Sequence, residues 1–405
     1  MNILFLTITR FTFIHEEGIY TDLMRKFANE GHSLFVVAPT ERRFKVSTNL
    51  KREKDVNILN VKTWNIQKTN VIEKGLATLL LEKQFQKAIR KYFNDVHFDF
   101  IIYSTPPITF TRIVSEIKQR DKAKTYLLLK DIFPQNAVDI ELLKKGGLLH
   151  RFFRRKERKL YEVSDYIGCM SPANVKYIIQ HNPFLPASKV EVNPNSLDLT
   201  PTVILDEPSK IAIRKKLQIP QDKSIFVYGG NLGKPQGVDF LLRTIMACIK
   251  INQAYFLIIG SGTEFPRMKR WFKINKPANA RLIEALPKDE YDMLVKACDV
   301  GLIFLDPRFT IPNYPSRLLS YLENSIPIIT ATDSVTDIGT MAEANGYGFK
   351  CLSGDIETMI KHIQFCCENP DEIKEMGQKG FEFLKNNYTV QHSYDIIMKH
   401  FNKNS

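Results

Sequence analysis

The stretch FVYGGNLGKPQGVDFLL, Phe226 to Leu242, decides how this chain is read. An apolar run enters two glycines, Gly229 and Gly230. A turn follows with Gly233, Pro235 and Gly237, and then an amphipathic segment begins. This is the pattern of a strand, a glycine turn and a helix. Glycine weakens both flanking elements, so its use here indicates a close approach to the backbone. Free N–H groups at a helix start carry partial positive charge, which makes the junction a candidate phosphate site. It is neither the dinucleotide GxGxxG pattern nor a Walker A loop, because Gly233-Lys234 is followed by Pro235 rather than Ser or Thr.

Two further junctions narrow the reading. LIIGSGTEF, Leu257 to Phe265, is a second strand that ends in a glycine turn, at Gly260. IPNYPSRLLSYLENSIPIITA, Ile311 to Ala331, opens a helix for which Pro315 suits the first turn and Ser316 a cap. Arg317 falls in that first turn, where the helix dipole opposes a cation by ~0.3–1 kcal/mol at an exposed site. A bound anion between Arg317 and the helix N-terminus removes the conflict, since arginine holds phosphate through two parallel hydrogen bonds.

At 405 residues the chain is too long for one ordinary core, and two domains are expected. A hydrophobic fraction of 44% with 25% charged residues is ordinary for a soluble globular protein. The net charge of +13 is not ordinary, and it points to an anionic partner: nucleic acid, a membrane surface or phosphorylated small molecules. The six cysteines form no CxxC pair and lie mostly in apolar runs, as reduced core residues of a cytosolic protein do. The N-terminal MNILFLTITRF has no basic flank or small-residue cleavage site and reads as a buried first strand. No run approaches the ~20 apolar residues that span a bilayer, so any membrane contact is expected at the surface.

Strand and helix patterns alternate along the chain. Continuous apolar runs at Asn2–Thr7, Ser33–Ala38, Phe98–Ser104, Thr125–Leu129 and Tyr166–Met170 read as strands of a first parallel sheet. EVNPNSLDLTPTVILDEP, rich in Pro, Asn, Asp and Thr, reads as a linker over 193–208. Strands then resume at Ser224–Tyr228, Tyr255–Ile259, Ala280–Ile283, Val300–Phe304 and Ile326–Thr330. Helices are expected at Val238–Ile251, Glu290–Ala297 and Ser316–Glu323. The expected fold is therefore α/β, with two doubly wound Rossmann-like domains, 1–195 and 205–387. The last helix, within 388–405, returns to the first domain. Ligand crevices lie at the carboxyl ends of such strands, and facing ends would leave the substrate in a cleft between the domains.

Taken in order, GGNLGKPQGVDFLL, FLIIGSGTE, LIEALPKDEY, ACDVGLIFLDP and IPNYPSRLLSYLENSIPIITATD resemble the donor-nucleotide domain of retaining glycosyltransferases of family 4, which have the GT-B fold. HEEGIYTDLMRKFANEGHSLFVVAPTERR, YLLLKDIFPQNAVDIELL and YEVSDYIGCMSPANVKYI extend the likeness through the first half. It is nearest to the WbuB-like branch of bacterial surface-polysaccharide enzymes. The resemblance implies a nucleotide-sugar, with UDP as the expected nucleotide, on the second domain and a saccharide acceptor on the first. It places Gly229, Gly230, Asn231, Lys234 and Gly260 toward the diphosphate and the loop of Ala285, Leu286 and Pro287 beside the base. Tyr314, Pro315, Ser316 and Arg317 fall toward diphosphate and sugar. It also implies no cofactor and no required metal, and the chain has no DxD motif at a strand end. The departures are specific. Asn231 and Gln236 stand where members carry a basic pair, and Pro312 and Ser320 where they carry two glutamates, with Glu323 as a substitute for the second.

On the acceptor side, KDIFPQNAVD follows a predicted strand, so Lys130 and Asp131 lie at its carboxyl end. Asp131 is the candidate to orient the acceptor or accept its proton, and Lys130 to touch the donor phosphate. His15, Glu17 and Gly18 follow the first strand and are candidate acceptor contacts. HRFFRRKERKLYE, His150 to Glu162, interleaves phenylalanines with cations, and NVIEKGLATLLLEKQFQKAIRKYF has apolar residues at helical spacing among lysines. Both fit an anionic membrane surface, and with it a polyprenyl-diphosphate-linked acceptor, placing the protein peripherally on the inner face of the cytoplasmic membrane. Two other classes are compatible with the charge and the glycine turns. A nucleic-acid-binding protein lacks support from any recognition-helix, RRM or zinc pattern. A nucleotide-dependent oxidoreductase lacks the dinucleotide fingerprint with an acid about 20 residues on.

Overall fold

The computed structural model describes residues 1–66, 71–199 and 206–401. The chain divides into two compact units, Met1–Asp198 with Thr389–Ser405, and Leu199–Tyr388. The first contains strands β1 (Asn2–Leu6), β2 (Ser33–Glu41), β3 (Asn49–Glu53), β4 (Val56–Thr63), β5 (Phe100–Ser104), β6 (Lys124–Leu129), β7 (Tyr166–Cys169) and β8 (Val190–Val192). They form one sheet in the order β3-β4-β2-β1-β5-β6-β7-β8, parallel except for the β3–β4 pair. The second contains β9 (Ser224–Asn231), β10 (Ala254–Ser261), β11 (Ala280–Glu284), β12 (Val300–Phe304), β13 (Ile328–Thr332) and β14 (Gly348–Leu352). These are all parallel, in the order β11-β10-β9-β12-β13-β14.

The apolar runs explain the burial. FIIYS in β5, VGLIF in β12 and IITAT in β13 are buried along their whole length. Strands without a polar face need helices on both sides of the sheet, and the intervening segments supply them. Four strands go beyond the sequence expectation: β3, β4, β8 and β14. NLKRE and VNILNVKT carry Asn, Lys, Arg and Glu, and β3 is an antiparallel edge strand whose residues are half-buried or exposed. An edge needs no continuous apolar run, so periodicity does not reveal it.

The chain stays in the first unit further than the polar composition after Val192 indicates. Asn193, Asn195 and Ser196 are buried. The Ser393 hydroxyl donates to Asn193 Oδ1 at 2.7 Å, and Val390 N donates to Leu197 O at 2.9 Å. These bonds belong to the helix Val390–Met398, which packs on the first unit, with Phe401 set 4.5 Å edge-on to Phe100. Within the expected linker, 200–205 lie outside the described residues. Asp206 already caps the helix Glu207–Lys216, accepting from Ser209 N.

Each sheet has one point where winding reverses: β1 lies between β2 and β5, and β9 lies between β10 and β12. Segments leaving neighbouring strands there diverge to opposite faces and open a crevice at the carboxyl ends. The segment after β1 holds His15, Glu17 and Gly18. After β9 the expected glycine turn begins later than the sequence indicates: Gly229, Gly230 and Asn231 still belong to the strand, paired with Ile259, Gly260 and Ser261 of β10, and the turn proper runs from Leu232 to Gly237.

The second unit is held at its base by Arg214. Its side chain is 8% exposed, and its Nη2 lies 2.8 and 2.7 Å from the two Asp299 oxygens. Nε donates to Ala297 O, and Asp299 accepts from Ile225 N at 2.7 Å, so the pair ties the helix Glu207–Lys216 to the start of β9. Arg214→Ala strands the carboxylate and is expected to destabilise the protein by ~3 kcal/mol, read as a lower denaturant midpoint. Arg214→Lys recovers only part of this, because an ammonium cannot reproduce the paired geometry.

Candidate functional site

In the second unit β9 and β12 pair only through Phe226–Val300 and Val227–Gly301. Past that point the strands part, and their facing backbone groups need other partners. Tyr321, from the helix Arg317–Glu323, supplies one. Its hydroxyl accepts from Gly229 N at 3.1 Å and lies 3.2 Å from Val227 O and 3.4 Å from Leu302 O, so its proton satisfies one carbonyl at a time. The ring lies where a Cβ on Gly301 would sit, with the nearest ring carbon at 2.4 Å. Burial pushes the phenol well above its ordinary range, so it stays protonated and donates.

One turn earlier on the same face of that helix is Arg317. Its guanidinium lies 4.3 Å from the centroid of the Tyr228 ring, and Nη2 donates to Gln236 Oε1 at 2.5 Å. The Tyr228 hydroxyl lies 3.1 Å from the same Gln236 oxygen and 3.0 Å from Asn231 O. Among the described residues, Nη1 of Arg317 is buried without a protein partner. The cation is therefore fixed by an aromatic face and one amide oxygen, with a donor left unspent. Gln236, a departure from the resembled pattern, is the residue that holds it.

The glycines divide by role. A Cβ on Gly229 would lie 2.0 Å from the Tyr291 hydroxyl, and one on Gly260 would lie 1.9 Å from Gly230 O. Both are required by internal packing. Gly230 differs: its φ is +112°, it is exposed, and among the described residues nothing lies within 4 Å of its Cβ position. Asn231 and Lys234 are also exposed, Lys234 opening a short 3-10 turn to Gln236. Leu286 is half-buried and Pro287 exposed; Pro287 O accepts from Tyr291 N at 3.0 Å, which starts the helix that carries Tyr291 to Gly229.

The remaining expected residues are placed differently. Ser316 is the N-cap by position, but its side chain caps nothing, and Pro315 precedes it rather than opening the helix. The Tyr314 hydroxyl is 2.5 Å from that of Tyr388, which turns the ring toward the Pro370–Asn387 helix. Ser320 is half-buried. Glu323, six residues past Arg317, is turned about 120° from it around the helix, so it does not share the Arg317 face. Tyr321, Tyr228 and Tyr291 are the residues sequence reasoning missed. The only signal was the spacing of Tyr321 from Arg317.

In the first unit Lys130 and Asp131 follow β6, and Thr105 Oγ1 accepts from Lys130 N at 2.9 Å. The Lys130 amine donates to Asn193 O at 3.1 Å, and burial lowers its pKa to about 7. Its amine is thereby engaged with the backbone of Asn193. Asn136 Nδ2 donates to both Asp131 oxygens at 2.7 and 2.8 Å, while burial raises that carboxyl to about 6. A carboxylate with that pKa accepts a proton near neutrality. His15 is exposed and stacks on Phe13 at 5.2 Å; Glu17 is exposed. Gly18 N donates to Asp22 Oδ1 at 3.1 Å. Arg25 pairs with the same Asp22 and donates to Ile14 O at 2.8 Å, so it fixes the loop that presents His15. Neither Asp22 nor Arg25 was singled out by sequence, since both read as ordinary helix-surface charges.

Two outcomes follow. Tyr321→Phe keeps the ring over Gly301 but leaves Gly229 N–H unpaired. It is expected to cost roughly 1–3 kcal/mol in denaturation. Lys130 binds its proton more weakly when folded, so its contribution to stability rises with pH from about 7 to 10.5. Lys130→Met should flatten the melting temperature against pH across that window; an unchanged slope refutes the burial assignment.

Residues 209–383 match the family model described as glycosyl transferases group 1. "Probable glycosyltransferase WbjE" of Pseudomonas aeruginosa is 22% identical over 324 residues, covering 80% of this chain and 78% of the relative. "Putative colanic acid biosynthesis glycosyl transferase WcaI" of Escherichia coli (strain K12) is 22% identical over 202 residues, 49% of this chain and 48% of that protein. Among solved structures, Anabaena Alr3699/HepE in complex with UDP superposes with a TM-score of 0.70 at 14% identity, over 100% of both chains. The two parallel-sheet α/β units are those of GT-B glycosyltransferases. Over residues 209–383 the second unit is therefore similar to the group 1 glycosyl transferases, and the chain as a whole shares its fold with solved GT-B glycosyltransferases.

Proposed function

We propose that the protein moves a sugar, an N-acetylated hexosamine or deoxy-hexosamine, from a UDP-linked donor to a saccharide acceptor carried on a polyprenyl diphosphate. The configuration at the anomeric carbon is retained, and the product belongs to a capsule, O-antigen or exopolysaccharide. The observation that carries this reading is Arg317: a cation locked between Tyr228 and Gln236, with Nη1 unspent, where β9 and β12 part. A buried donor without a partner is costly, and an anion relieves it.

In this reading the diphosphate lies over the glycine turn. Gly230 and Asn231 offer exposed backbone, Arg317 the fixed charge and Lys234 a mobile one. The leaving nucleoside diphosphate gains charge as the glycosidic bond breaks, and a donor already fixed there stabilises it without reorganisation. No metal is needed for that role. Leu286 and Pro287 flank the base. On the first unit Asp131 orients the acceptor hydroxyl and takes up its proton, while the loop of His15, Glu17 and Gly18 contacts the acceptor saccharide. UDP and the polysaccharide setting are supported by the ligand in the HepE structure and the colanic acid named for the E. coli relative. Retention and the lipid-linked acceptor rest on the sequence resemblance, and the enzyme is read as peripheral on the inner face of the cytoplasmic membrane.

Arg317→Ala is expected to cut turnover by roughly 100-fold or more with the fold intact. Arg317→Lys restores only part, since a point charge cannot replace the guanidinium fork. Nucleotide release from a panel of nucleotide-sugars identifies the donor, and calorimetry with UDP reads binding alone. Near wild-type turnover in Arg317→Ala would remove the assignment.

A further inference from the structure

The helix Leu148–Val163 has an inner and an outer face. Inward, Glu157 is buried, pairs with Arg154 and accepts from the Tyr161 hydroxyl at 2.9 Å. Arg154 also donates to Asn182 Oδ1 at 3.3 Å, and Phe153 sets its ring 4.9 Å from that of Phe133. These contacts, with Leu160 buried beside them, fix the roll of the helix. At 100° per residue the opposite side carries Leu148, Phe152, Arg155 and Lys159 in one stripe, with Arg151 next to it.

The stripe is apolar at its N-terminal end. Leu148 is 87% exposed, Leu149 63% and Phe152 40%, and Leu142 in the preceding loop is 61% exposed. Lys144, Lys145, Arg151, Arg155 and Lys159 are exposed around them. On the helix the carboxylates are engaged: Glu157 is buried, and Glu162 pairs with Arg158 at 2.8 Å. The second basic segment is different. In the helix Val71–Tyr92 and just beyond it, Ala77, Leu81, Phe85, Ala88, Ile89 and Phe93 are buried, while the side chains of Val71, Ile72, Lys74, Gly75 and Leu76 lie outside the described residues.

We propose that Leu142, Leu148, Leu149 and Phe152 form the membrane-docking tip of the protein. They enter the boundary between headgroups and acyl chains of an anionic bilayer, and the surrounding Lys and Arg side chains bind lipid phosphates. Charge complementarity selects the occupant. A nucleic acid would match the cations but would leave the leucines wet, whereas an anionic bilayer offers a negative surface above an apolar layer. This deepens the lipid-linked acceptor reading of the previous section by naming the surface that meets the lipid.

The test uses the full chain and vesicles of phosphatidylcholine with or without phosphatidylglycerol, with no substrate present. Co-sedimentation is expected with the anionic vesicles only, and release in high salt. The double variant Leu148→Ser, Leu149→Ser should lower partitioning roughly tenfold or more, and Arg151→Glu with Arg155→Glu should abolish it. Both should keep wild-type melting temperature and wild-type transfer to a water-soluble acceptor analogue. Equal binding to neutral vesicles, no binding to anionic ones, or an unaffected leucine variant overturns the proposal. A dimer that the leucine variant dissociates, without vesicle binding, assigns the patch to a second copy instead. Vesicle binding without any glycosyl transfer would leave the docking surface standing and remove the functional reading.

Discussion

The second unit depends on how one hydroxyl fills the gap between β9 and β12. Parting two strands of a parallel sheet exposes backbone donors and acceptors, and each one buried without a partner costs ~1–3 kcal/mol. Tyr321 meets that cost at Gly229 N and at Val227 O or Leu302 O. Three consequences follow. Position 301 must be glycine, because the ring occupies its Cβ space. The rotation of the helix Arg317–Glu323 is fixed by the ring. Arg317, four residues before Tyr321, is thereby set over Tyr228 and against Gln236. The placement of the cation and the closure of the split sheet are one structural fact.

Burial acts on charge differently in the two units, and the side-chain chemistry explains why. A guanidinium is delocalised and keeps its proton when desolvated. Arg317 therefore remains a cation under the tyrosines. An amine is a compact charge that loses its proton on burial, and Lys130 is lowered to about 7. Burial also raises Asp131 to about 6, even with two hydrogen bonds from Asn136. One unit holds a permanent positive charge, which in the proposed reading faces the diphosphate. The other holds an amine and a carboxyl that burial moves toward neutrality, from opposite directions.

The tail reinforces the first of these groups. Asn193 O accepts from Lys130, Asn193 Oδ1 accepts from Ser393, and Asn193 Nδ2 donates to the Tyr126 hydroxyl at 3.0 Å. Tyr126 in turn donates to Glu191, which also holds Lys399 and His400. A buried polar network of this kind specifies one arrangement, since a half-formed version leaves several groups unpaired. The final helix is thus part of the frame around Lys130 and β6.

The α/β class, the parallel strands and the glycine-rich junction between β9 and the following helix were legible in the amino-acid order, because each rests on local rules. Continuous apolar runs such as VGLIF have no polar face to expose, and Arg317 at a helix start conflicts with the dipole wherever the helix lies. The edge strand β3 was not legible, since an edge tolerates the polar residues that hide it, and in its neighbour β4 Asn57, Asn60 and Lys62 interrupt the apolar run. Asn193 and Ser196 read as linker because composition cannot show that a helix nearly 200 residues on will bury them. The roles of Gly229 and Gly260 needed the tertiary structure too. Sequence indicates that a backbone must be approached closely, but only packing reveals that Tyr291 and Gly230 O make the approach, leaving Gly230 open. Local order determined which segments are strands, helices and glycine turns. Contacts between residues distant in the chain decided which of those turns has room for a ligand and which cation stands beside it.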